Sequence, residues 1–140
     1  MFRNRKKAVD GVAKLSGIPL FDGFSPDELQ RVAELADDVD AEAGAILVDQ
    51  GRVGQECYVI LEGQASVYVS GEHIATSGPG SMVGEMALVE HKPRNATVIA
   101  DTPMKLIVFD TKAFKQLLAE MPKANDRVME TLAARLHQHP

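Results

Sequence analysis

One cysteine in 140 residues leaves the chain without an internal disulfide framework, so an apolar core in a reducing compartment has to supply its stability. Cys57 itself stands beside Tyr58, Val59, Ile60 and Leu61 and reads as a small buried hydrophobe rather than a redox group or nucleophile. No apolar run approaches the roughly 20 residues needed to cross a bilayer, and the N-terminus lacks the charged-then-apolar order of a signal peptide. A cytoplasmic protein with no membrane insertion is expected. A surplus of positive charge is missing as well. The 15 Lys and Arg residues stand against 20 Asp and Glu, which argues against a surface devoted to nucleic-acid phosphates. The basic cluster Arg3, Arg5, Lys6 and Lys7 reads as a solvated tail.

Catalytic groups are equally scarce. There is no Gly-x-x-x-x-Gly-Lys-Ser/Thr loop, which argues against a nucleoside triphosphatase. Of the four histidines, His137 and His139 form the close pair in the C-terminal tail, while His73 and His91 stand alone. A metal enzyme of the cupin type needs closely spaced histidines on barrel strands and another later, so that reading stays a remote alternative. No Ser-His-Asp or Cys-His arrangement follows from the spacing, and no enzyme, metal or resident cofactor is expected.

The length allows one domain of ordinary size with its own core. Residues 5–16 carry Ala8, Val9, Val12 and Ala13 at helical spacing and predict a helix, weakened by Gly11. Leu20, Phe21 and Phe24 follow as core anchors. Ser25-Pro26-Asp27-Glu28 is a helix start with a cap, a first-position proline and a capping box, and Phe24 and Leu29 are placed to staple it. Leu29, Val32, Ala33 and Ala36 then share one face.

From Val39 to Asp110 short Val, Ile and Tyr runs alternate with glycines, the punctuation of many short strands. Ser70-Gly71 suits a hairpin turn. The turn spacing predicts a closed antiparallel roll of roughly eight strands. Helical spacing returns at Phe114, Leu117 and Leu118, with Asp110 or Thr111 as cap. Met121-Pro122 breaks it, and Val128, Met129, Leu132 and Leu136 carry a final helix. The expected division is an N-terminal helix or tail over 1–16 and one domain over 17–140, with strands over about 39–110 and helices over about 111–138.

One stretch, from Val83 to Val98, is suited to binding an anion. Gly84 lets the backbone approach a ligand, and Glu85-Met86-Ala87-Leu88 is able to make one or two helical turns whose leading amides point outward at a phosphate. Arg94 returns to the same place with a planar guanidinium that holds two phosphate oxygens at once. Glu85 would repel a phosphate, so it fits only as acceptor for a neutral donor such as a ribose hydroxyl. One anionic clamp and one hydroxyl acceptor describe a monoanionic sugar phosphate, since a triphosphate would call for a metal or several cations.

Gly84-Glu85-Met86-Ala87-Leu88 followed by Pro93-Arg94-Asn95-Ala96-Thr97-Val98 resembles the phosphate-binding cassette of cyclic nucleotide-binding domains, the family of catabolite activators, protein kinase regulatory subunits and nucleotide-gated channels. The resemblance extends over most of the chain, from Ile18-Pro19-Leu20-Phe21 through Tyr58-Val59-Ile60-Leu61-Glu62-Gly63 and Gly78-Pro79-Gly80 to the closing helices. It implies a mainly β fold with flanking α elements: an antiparallel β jelly-roll barrel with N-terminal helices, a short phosphate-cassette helix and C-terminal lid helices. It implies a ligand site of Val83, Gly84, Glu85, Met86 and Ala87 facing Arg94, Asn95 and Ala96. Glu85 would take the ribose 2′-hydroxyl, Arg94 the cyclic phosphate, and the backbone of Met86 and Ala87 the phosphate oxygens. Asn95 departs from the Ser, Thr or Ala more usual there. Met129, Leu132 and Arg135 would cap the base, against the plainer reading that they pack on the barrel.

The implied protein is a regulatory sensor for a cyclic nucleotide, cAMP ahead of cGMP, that repositions its C-terminal helices and acts on a protein partner or as a homodimer. Direct DNA binding is not expected, because about thirty residues after the strands leave no room for a helix-turn-helix. The alternative is a degenerate member of the family that serves as a protein-interaction scaffold. Retention of both Glu85 and Arg94 argues against it, since buried charges without a ligand carry a desolvation cost.

Overall fold

A computed structural model describes residues 2–8, 15–53, 55–84 and 93–138, with side chains described as far as residue 130. Among the described residues nine strands form two antiparallel sheets. The strands are β1 (Phe2–Lys7), β2 (Asp37–Ala41), β3 (Ile46–Val48), β4 (Glu56–Glu62), β5 (Ala65–Val69), β6 (Glu72–Ser77), β7 (Met82–Val83), β8 (Thr97–Ala100) and β9 (Met104–Asp110). One sheet runs β1-β2-β9-β4-β7 and the other β3-β8-β5-β6. The expected closed roll is therefore a double-sheet roll with open edges. The chain crosses from one sheet to the other at most of its turns, so consecutive strands mostly cannot pair with each other. The exceptions are β1 with β2 and the β5–β6 hairpin, the latter turned at Ser70 and Gly71, both at positive φ as a two-residue hairpin loop of the mirror-image type requires.

Strand β4 explains how the layers stack. Its run Cys57-Tyr58-Val59-Ile60 is buried on both faces, and successive side chains point to opposite sides. Cys57 and Val59, with Ile107 and Phe109 of β9, join the core beneath the helices. Tyr58 and Ile60, with Leu106 and Val108, join the core between the sheets. Each fully buried aliphatic or aromatic side chain contributes on the order of 1.5–3 kcal/mol. This central pair of strands, in register from Glu56 opposite Asp110 to Ile60 opposite Leu106, is the spine of the molecule.

The helices cover one face. Helix α1 (Pro26–Leu35) starts with the expected capping box: the Glu28 amide donates to Ser25 Oγ at 3.1 Å and the Ser25 amide to Glu28 Oε1 at 2.9 Å. That second bond, ahead of Lys123, lowers the Glu28 pKa. Phe24 and Leu29 lie in the same core cluster, as a hydrophobic staple should. Helix α2 (Thr111–Glu120) is capped by Asp110, whose Oδ1 accepts from the Ala113 amide at 2.7 Å. Pro122 opens α3 (Pro122–Gln138) directly after Met121, so the expected break is a junction between two helices.

The N-terminus differs from the expectation. Residues 5–7 belong to a strand rather than a helix, and the basic cluster is paired with the chain rather than trailing in solvent. The reason lies thirty residues away. Strand β2 opens with Asp37, Asp38 and Asp40, and β1 runs antiparallel to it with its cations against these carboxylates. Arg5 Nε donates to Asp37 at 2.8 Å and Nη2 to Glu56 at 2.7 Å, Lys7 lies 3.3 Å from Asp37, and Arg3 pairs with Glu42. Asn4 donates to Asp40 at 2.8 Å; this bond, ahead of Lys105, lowers the Asp40 pKa. Exposed pairs are worth about 0–1 kcal/mol each, so β1 depends on having several and on Phe2, whose ring centroid lies 5.5 Å from that of Tyr58.

Gly63 is a test of the crossing geometry. It has φ +101°, and a Cβ there would sit 2.6 Å from the Pro103 carbonyl oxygen and 2.8 Å from the Met104 side chain. Backbone strain of about 1–2 kcal/mol adds to a close contact with main chain. Gly63→Ala is expected to lower unfolding free energy by more than about 2 kcal/mol in urea, whereas Gly71→Ala, with open space around it, loses the strain contribution alone.

Candidate functional site

Three segments converge on one guanidinium. Strand β7 ends at Val83, which is buried and opposite Tyr58, and delivers Gly84. Strand β4 begins at Glu56. The segment Pro93-Arg94 lies against residues 51–53: the Arg94 amide donates to the Arg52 carbonyl at 2.7 Å, the Gly51 amide donates to the Arg94 carbonyl at 2.8 Å, and Pro93 bridges Val53. With its main chain held in this way, Arg94 is 7% exposed. Its Nη1 donates to the Gly84 carbonyl and its Nη2 to the Glu56 carbonyl.

These bonds solvate a buried cation with main-chain dipoles, which is the condition for keeping it charged away from water. They also hold the guanidinium against the end of β7, where the stretch expected to bind an anion begins. Gly84 is needed there for two reasons. Its φ is +85°, and a Cβ would lie 2.8 Å from Arg94 Nη1. The neighbouring Tyr58 phenol has its pKa pushed up by burial first and by Glu56 second, with Arg94 pulling the other way, so it stays neutral near pH 7. Its hydroxyl donates to Glu56 Oε1 at 3.4 Å.

The expected residues are distributed unevenly around this centre. Gly84, next to Val83 at the end of β7, accepts from Arg94. Asn95 is exposed and Ala96 half-buried, beside Arg94 in the chain. Glu85, Met86 and Ala87 lie outside the described residues, as do the side chains of Leu132 and Arg135. Met129 is 40% exposed on α3, so it does not serve as a core contact there. The same helix buries Ala124 and Val128 against the core that contains Phe21 and Phe24.

Glu56 was not among the candidates. It enters through a main-chain carbonyl, which every residue type possesses, so no letter in the sequence could mark it. A cavity of about 640 Å³ lies elsewhere, lined by Arg3, Asp40, Glu42, Met104 and Lys105 among others, and it contains none of the expected ligand residues. Among the described residues no group of three or more His, Cys, Asp or Glu is placed to hold a metal ion. His73 is exposed on β6, its ring 5.4 Å from that of Tyr68.

A family model described as cyclic nucleotide-binding domain matches residues 38–121. The chain is 35% identical over 105 residues to a cAMP-dependent protein kinase regulatory subunit of Schizosaccharomyces pombe, covering 74% of this chain and 26% of that protein. It thus spans about a quarter of the length of that relative. Among solved structures, the regulatory domain of Toxoplasma gondii PKA with cAMP superposes with a TM-score of 0.80 at 26% identity, over 91% of this chain and 50% of that one. The catabolite activator protein of Thermus thermophilus does so with a TM-score of 0.77 at 26% identity, over 86% and 59%.

The geometry makes a prediction that requires no ligand. Arg94→Ala leaves two part-buried carbonyl acceptors without this donor, each costing up to about 1–3 kcal/mol. The variant is expected to unfold at a clearly lower urea concentration than the wild type, with Arg94→Lys recovering part of the loss. Equal midpoints for all three would mean that the arginine does not hold these segments together.

Proposed function

The chain belongs to the cyclic nucleotide-binding domain family, and from that membership we propose that it is a non-catalytic sensor in which Arg94 receives the cyclic phosphate. The observation that carries this reading is the placement of one buried guanidinium at the end of β7, against Gly84, where the anion-binding stretch starts. A cyclic diester carries one charge, and one arginine with a few main-chain amides is a matching partner. In this reading Glu85 takes the ribose hydroxyl, the amides of Met86 and Ala87 take phosphate oxygens, and Asn95 and Ala96 complete the wall beside Arg94. The relatives described as bound to cAMP favour cAMP over cGMP as the first ligand to test.

The output is a change in the docking of α2 and α3. A short hydrogen-bonded path supports this: Thr111 donates from both its amide, at 3.0 Å, and its hydroxyl, at 3.2 Å, to the Gln55 carbonyl. The first residue of α2 is therefore bonded to the residue that precedes Glu56, and Glu56 holds Arg94. A ligand that pulls on the guanidinium biases the position of α2 only through such differential contacts. At the other end, Arg127 of α3 donates to the Leu20 and Asp22 carbonyls at 2.6 Å each and Lys123 to the Gly23 carbonyl at 3.2 Å, so the last helix rests on the segment before α1. Met129, Leu132 and Arg135 lie further along α3 as the proposed cap over the base. The readout is a protein partner or a second copy, in the cytoplasm.

A second reading has an observation in its favour. Arg94 is satisfied by main-chain carbonyls, so its retention does not by itself demand a ligand, and the desolvation argument against a degenerate scaffold loses force. Calorimetric titration separates the two. Wild-type protein is expected to bind cAMP with measurable heat, and Arg94→Ala to lose at least roughly thirty-fold in affinity, from the 2–5 kcal/mol typical of removing one side of a buried charged contact. No heat with either cAMP or cGMP would favour the scaffold. For the cap, Leu132→Ala should weaken binding while Glu130→Ala on the same helix leaves it unchanged; equal effects would remove the capping role.

A further inference from the structure

We propose that Arg5, in the N-terminal strand, is a positioning residue for the anion site and acts through Glu56. The inference rests on the assignment of Arg94 as the phosphate ligand and adds a residue that no feature of the cassette contains. Glu56 does two things at once. Its main-chain carbonyl accepts from Arg94 Nη2, and its carboxylate accepts from Arg5 Nη2 at 2.7 Å. Arg5 spans strands that are not neighbours, with Nε on Asp37 of β2 at 2.8 Å and Nη2 on Glu56 of β4. The Glu56 and Asp37 side chains are 26% and 23% exposed, so this double contact is only partly open to water and salt.

The electrostatic consequence is direct. The residue that orients the phosphate-binding guanidinium also carries a negative charge, and an anion entering beside Arg94 is repelled by it. Arg5 cancels that charge. It also holds the first residue of β4 in place from the outside, so the carbonyl that Arg94 uses keeps its direction. Other cations of β1 do not share this role: Arg3 pairs with Glu42 and Lys7 with Asp37. The N-terminal strand thereby contributes one specific charge to ligand affinity, and a partner that draws β1 away from β2 would lower that affinity, as the ligand would in turn lower the affinity for the partner.

The test is calorimetric titration of cAMP into four proteins at low and at high salt: wild type, Arg3→Ala, Arg5→Ala, and Arg5→Ala combined with Glu56→Gln. Arg5→Ala is expected to weaken binding about threefold to tenfold at low salt, and less at high salt as the charge is screened. Arg3→Ala removes a cation from the same strand and should leave affinity unchanged. Adding Glu56→Gln to Arg5→Ala should restore affinity to the wild-type value or above, because the repelling charge is gone. A loss of strand or fold alone would not be rescued in this way. Wild-type binding that Arg5→Ala leaves intact, an equal loss with Arg3→Ala, or a loss that Glu56→Gln does not reverse would each overturn the role of Arg5 while leaving the proposed function standing. A wild type that binds no cyclic nucleotide would remove that function and this inference together.

Discussion

Arg94 is buried, so its charge has to be solvated by the protein, and two main-chain carbonyls take part in doing so. Arg94 takes one carbonyl from the end of β7 and one from the start of β4, while its own backbone is bonded to residues 51 and 52. One residue therefore ties two stretches of chain together through its side chain and a third through its main chain. The absence of a Cβ at Gly84 is part of the same constraint, since any other residue would displace the charged group it supports. Arg94 is in this sense a structural joint, whatever it binds.

That joint is seated on the two-sided core of β4 and β9. Cys57 and Val59 look toward the helices and Tyr58 and Ile60 toward the second sheet, so Glu56 has little freedom at the head of the strand. From there two connections lead outward. One runs through Gln55 to the first turn of α2, and the other through the Glu56 carboxylate to Arg5 and the N-terminal strand. The surroundings of Arg94 are thus linked to the first turn of α2 and to the N-terminal strand, each by a few hydrogen bonds.

Local signals in the sequence proved dependable where their cause was local. Ser25 and Glu28 cap α1, Asp110 caps α2, Pro122 begins α3, and Ser70-Gly71 turns a hairpin, because each depends on neighbours within a few positions. The β1 segment was misjudged for the opposite reason. Arg-Asn-Arg-Lys-Lys has neither apolar alternation nor a turn signal, and it is a strand because Asp37, Asp38 and Asp40 wait for it about thirty residues later. The division into two open-edged sheets was equally hidden, since alternation along a strand tells which side is buried and not which strand lies beside it.

What the sequence determined by itself is the chemistry: a mainly β chain with helices before and after, a glycine followed by the short run Glu85-Met86-Ala87-Leu88, and an arginine returning ten residues after the glycine. Those properties reside in residue types and spacings. What only the tertiary structure decided is the surroundings of the arginine, namely the carbonyl of Glu56 that holds it and the charge of Arg5 behind that carbonyl. Main-chain dipoles carry no mark in the sequence, and ion pairs across 51 residues exist only once the sheet has brought their strands together.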